Sequence, residues 1–98
     1  MENKSPYPNL DFLIHAYFNR DFDLWGNNVQ EIISCFKEES DQPLRTLIIG
    51  EIDRFKLDHS IDLDEYFDKL YGLYVAPEPW GHTTISFLDE LKRLLLGE

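Results

Sequence analysis

Apolar residues recur along this chain at helical spacing, and no segment alternates apolar and polar over a strand's length. Leu10, Leu13, Ile14, Tyr17 and Phe18 stand at i, i+3, i+4, i+7 and i+8, one stripe of a first helix. Asn9 is its expected N-cap, and Pro6 and Pro8 keep residues 1–8 as an extended N-terminal segment. The helix should fail near Arg20, where "DFDLWG" reads as a corner ending in Gly26. Asn28 then caps a second helix carrying Val29, Ile32, Ile33 and Phe36, whose polar face ends in "KEES". Asp41 or Ser40 caps a third, with Pro43 tolerated in its first turn. Its expected buried stripe is Leu44, Leu47, Ile48, Ile52 and Phe55, and Gly50 marks a close helix crossing.

"DLDE" at 62–65 has the form of a capping box, Asp62 accepting from the first-turn amides and Glu65 reaching back. Leu63, Tyr66, Phe67, Leu70, Tyr71 and Tyr74 follow at helical spacing. "VAPEPWGHTT" is the longest breaker, and only "LYVA" just before it could form a short extended piece. The last helix carries Ile85, Leu88, Leu91 and Leu95, widened by Phe87 and Leu94. Lys92 and Arg93 sit near its negative end, and Gly97 stops it. The pattern predicts an all-α fold, one compact bundle of about five helices over residues 1–98.

Composition fits a globular domain, with 43% hydrophobic and 14% aromatic residues. Charge changes the picture. Nineteen acidic residues against nine basic ones give a net charge of −10, so nucleic acid and anionic membranes are repelled and a basic partner is attracted. The single cysteine, Cys35, allows no intrachain disulfide. The N-terminus shows no signal-peptide pattern and no segment is long and apolar enough to span a membrane, so a cytoplasmic protein is expected.

Candidate chemistry is sparse. His15 falls beside the first stripe, His59 in the polar "LDHSID", and His82 in a loop. Such spacing gives no metal site, and Cys35 beside Phe36 reads as packing rather than as a nucleophile. Asp21 and Asp23 lack the central Gly and terminal Glu of a calcium loop, and Gly-rich phosphate loops are absent. No catalytic, cofactor or metal residue is therefore assigned. The positive signal is the distribution of acids: Asp58, Asp62, Asp64, Glu65 and Asp68 lie between Leu57 and Asp68 with no base among them. Glu38, Glu39 and Asp41 form a smaller group.

Three stretches together carry a resemblance: "YPNLDFLIHAYFNRDFD", the Gly-containing corner with its short amphipathic helix, and "LYGLYVAPEPWGHTTISFLDEL". They resemble a family of bacterial contact-dependent growth inhibition immunity proteins from about Tyr7 to Leu95. The chain departs from the family's pattern at Asn19, Arg20 and Phe22, where that pattern has His, Gln and Trp. The resemblance implies a non-enzymatic cytoplasmic protein, monomeric on its own and without cofactor. It would bind and block the C-terminal toxin domain of a cognate exoprotein, a basic domain expected to be a nuclease. A motif shared by a family is a poor determinant of specificity, so "YFNRDFD" is expected to be architectural. Tyr17 and Phe18 would pack in the core, Asp21 or Asp23 would accept backbone N–H bonds, and Phe22 and Trp25 would fill the gap between the first two helices. The toxin-binding residues are expected among Asp58, Asp62, Asp64, Glu65 and Asp68, with Glu38, Glu39 and Asp41 as a second patch. The rival expectation is an acidic helical adaptor that binds a peptide or helix, with "VAPEPWG" and Trp80 exposed.

Overall fold

Each helix begins where local chemistry can satisfy its first N–H groups, but one of them borrows that chemistry from a distant part of the chain. The computed structural model describes residues 6–18, 26–72 and 81–97. These form α1 (Pro8–Tyr17), α2 (Val29–Glu39), α3 (Gln42–Asp58), α4 (Leu63–Tyr71) and α5 (Thr84–Leu96), and no strand occurs among them. Asn28 caps α2 by accepting from the Glu31 N–H at 2.8 Å, and Asp41 caps α3 by accepting from Leu44 at 3.1 Å. Thr83 and Ser86 form a reciprocal capping box at α5. Gly97, at φ 86°, ends that helix in the left-handed conformation glycine favours.

The first helix is different. It starts at Pro8, with Tyr7 at the cap position and no side-chain cap bond, so the expected Asn9 cap does not form. Its free amides are met instead by Glu51 of α3, a carboxylate only 6% exposed. Glu51 accepts from the Asn9 and Leu10 backbone N–H groups at 2.9 and 2.7 Å, and from the Asn9 side-chain amide at 2.7 Å. A negative charge at the positive end of a helix is favourable, and here one group also satisfies three donors.

Glu51, Phe55 and Asp58 stand at i, i+4 and i+7 on α3, and all three meet the start of α1. Phe55 packs on the Tyr7 ring at 5.0 Å, and Asp58 accepts from the Tyr7 hydroxyl at 2.9 Å. Arg54 adds a bond to the Pro6 carbonyl and lies 5.2 Å from the centre of the Tyr7 ring. Helix C-termini are also capped from elsewhere. Lys37 of α2 donates to the Leu94 carbonyl near the end of α5 at 3.0 Å, and Arg45 of α3 donates to the Lys37 and Ser40 carbonyls at 2.8 Å.

The core gathers around α5, which packs against α2, α3 and α4, while α1 lies against α2 and α3. Phe87 is the meeting point, edge-on to Phe18 at 5.5 Å and to Phe67 at 6.0 Å. Tyr17 meets Phe36 edge-on at 5.1 Å and ties α1 to α2.

Several sequence expectations give way here. Leu47 and Ile85 are 55% and 49% exposed rather than buried. A helix face wide enough to include them exceeds the width its neighbours cover. A Cβ added at Gly50 would meet nothing within 4 Å, so no helix crosses there. The 62–65 capping box does not form, because Asp62 makes no cap bond and its carboxylate faces His59 instead. Asp21, Phe22, Asp23 and Trp25 lie outside the described residues, as do Arg20, Tyr74, "LYVA" and the loop through Trp80. Tyr17 and Phe18, the described part of "YFNRDFD", are buried.

Candidate partner-binding face

The acidic residues separate into those engaged within the fold and those that are not. Asp58 holds the Tyr7 hydroxyl, as described. Asp62 lies 3.1 Å from His59 Nδ1, and the His59 ring stacks on Tyr66 at 3.6 Å. Glu39 accepts from the Tyr17 hydroxyl at 2.6 Å, and Asp41 is the α3 cap. These four have structural partners that account for them.

Asp64, Glu65 and Asp68 do not. All three are exposed on the outer side of α4, whose inner side buries Phe67 and Tyr71. Their side chains make no hydrogen bond or ion pair among the described residues. Asp64 and Asp68 are one turn apart with like charge, an arrangement that disfavours an isolated helix by roughly 0.2–0.5 kcal/mol. Cations that could offset them are engaged elsewhere: Lys56 pairs with Asp89, Lys92 with Asp53, and Arg93 with Glu90. Lys69, one turn beyond Glu65, makes no ion pair among the described residues. Glu38 is also exposed, and it borders a shallow depression with Cys35, Asn28 and Ser34.

Burial shifts the tyrosines more than any other group. The Tyr7 hydroxyl is pushed up to about 12 by burial and then by its bond to Asp58. Tyr17 is likewise pushed up to about 12 by burial and by Glu39, and Tyr71 is raised by burial and by its bond to Asp11. Unfolded tyrosines ionise near pH 10, so between pH 10 and 12 the unfolded state binds fewer protons than the folded one. Stability is therefore fully present below pH 10 and falls as pH rises toward 12. Urea midpoints at pH 9, 10 and 11 should fall along that series, and the decline should be shallower in Tyr7→Phe.

Nothing in the geometry supports catalysis. Partial burial, then Glu39 and Glu38, raise the Cys35 thiol and keep it protonated. His82 Nδ1 lies 3.0 Å from the Ser86 hydroxyl, but that hydroxyl serves the α5 capping box and accepts from the Thr83 N–H at 2.9 Å. His15 is exposed, with its ring edge-on to Tyr71 at 6.1 Å. No group of three His, Cys, Asp or Glu side chains among the described residues could hold a metal ion. No helix among them is long and apolar enough to cross a membrane.

Sequence reasoning missed the apolar part of this face. Ile61, in the turn between α3 and α4, is 99% exposed, and Ile85 projects from the first turn of α5. Both line one shallow groove with Leu63, Asp64 and Glu65. Burying one such side chain on association would contribute about 1.5–3 kcal/mol. The signal available in sequence was an aliphatic residue isolated in the polar stretch "HSID".

Comparison with known proteins agrees with the residues. The family model described as CdiI immunity protein matches residues 6–95, nearly the whole chain. No curated protein and no solved structure matches significantly. The chain belongs to the CdiI immunity protein family, whose members are non-enzymatic inhibitors that neutralise a cognate contact-dependent growth inhibition toxin.

Proposed function

We propose that this protein acts in the cytoplasm as a monomer and neutralises a toxin domain that is a nuclease with a basic substrate groove. The outer face of α4 provides the contact. The observation that carries this reading is the set of exposed carboxylates, Asp64, Glu65 and Asp68, with no partner among the described residues. Like charges crowded on one face repel one another, and a cationic surface converts that repulsion into attraction. Glu38 would extend the contact, while Asp58, Asp62, Glu39 and Asp41 would serve the fold. An acidic face seated over a nuclease groove excludes RNA or DNA both by volume and by charge.

Growth rescue tests the function. Inducing the C-terminal domain of the exoprotein encoded beside this gene should arrest a sensitive bacterium. Co-expression of this protein should restore growth, whereas an unrelated domain of equal charge should not. Charge reversal at Asp64 and Asp68 together should slow association by roughly 10-fold or more at low salt and flatten its salt dependence. Stopped-flow binding that gave an unchanged rate and salt slope would reduce α4 to a solvated face.

A further inference from the structure

The geometry points to an anchor site beside the acidic face: the groove between the α3–α4 turn and the first turn of α5 receives one apolar side chain of the toxin domain, carried next to a Lys or Arg. This inference rests on the proposed reading that a basic toxin domain is the partner. Ile61 is almost wholly in water, and Ile85 is half exposed, so the two aliphatic side chains converge from separate elements on one groove. Leu63, partly buried against the core, gives that groove a fixed side. Asp62, Asp64 and Glu65 border it. A purely apolar partner would leave these carboxylates desolvated and unpaired, whereas a cation beside the apolar group satisfies them. Charge complementarity thus selects the occupant.

The groove is continuous with the α4 face, since Asp64 and Glu65 belong to both. An apolar centre within a polar rim is the arrangement in which a few side chains dominate binding. The two parts act on different rates. Carboxylates steer the encounter and set association, while a desolvated anchor slows release.

The experiment measures association and dissociation of a catalytically inactivated toxin C-terminal domain with the full chain, as wild type, Ile61→Ser and Ile85→Ser. Both replacements are neutral, so steering is untouched. Dissociation should quicken about 10-fold or more in Ile61→Ser, with association rate, salt slope and melting temperature unchanged. Ile85→Ser should act in the same direction. Tight wild-type binding with unchanged dissociation in both variants would overturn the anchor and leave the acidic-face reading standing. Absence of wild-type binding and rescue would remove both. Two further outcomes would overturn the anchor: a wild-type dimer that Ile61→Ser dissociates, placing a second copy in the groove, or a melting temperature lowered by Ile61→Ser, placing the chain's own residues there.

Discussion

Glu51→Ala should lower the stability of the protein by about 2–4 kcal/mol, even though the position carries a charge in the middle of a helix. The substitution strands the buried Leu10 N–H and frees both Asn9 donors, which lie closer to water. One buried donor left unsatisfied costs about 1–3 kcal/mol, and loss of the favourable charge at the start of α1 adds roughly 0.3–1 kcal/mol or more. A domain of this size has a total stability of roughly 5–15 kcal/mol, so the melting temperature should fall by about 10–30 °C. Glu51→Gln should cost less than half as much, because its oxygen can still accept from Leu10. Calorimetry would decide it. A loss below about 1 kcal/mol for the alanine variant would mean that α1 needs no cap from α3.

Phe55→Ala should cost more, about 3–5 kcal/mol. Phe55 is fully buried, and its ring meets Tyr7 at 5.0 Å, Tyr66 at 5.5 Å, and Phe67 and Tyr71 at 6.3 Å each. Removing it opens a void that α1, α3 and α4 all border. Aromatic pairs add about 0.5–1.5 kcal/mol each beyond the area they bury, which places the expected loss toward the upper end. Phe55→Leu, which refills most of the volume, should recover a substantial part of the stability. The alanine variant should also combine less than additively with Glu51→Ala, since both loosen the same start of α1. Full additivity in denaturant titrations would show that the two contacts act independently.

Contacts within one or two turns were legible in the sequence. Asn28, Asp41 and Thr83 were readable as caps because each bonds an amide three residues ahead. Glu51 was not, because its partners lie 41 and 42 residues away. Asp58 looked free for the same reason, its Tyr7 partner being 51 residues distant. Periodicity correctly predicted five helices, but it could not show how wide a face each neighbour covers, so Leu47 and Ile85 were misplaced. The candidate face was legible as a density of acids. Which of those acids the fold already engages became clear only from packing, and Ile61 carried no periodic signal at all.

The two sides of α4 have a consequence for how this protein could change partners. Phe67 and Tyr71 fasten the helix to the core, and Asp64, Glu65 and Asp68 point away from it. Substitutions on the outward side touch no packed atom, so their effects on folding should be small and independent of the core. Recognition and foldedness are therefore written at separate positions of one short helix. A lineage, or an engineer, could retarget the protein by rewriting those outward positions, with the scaffold left as it stands.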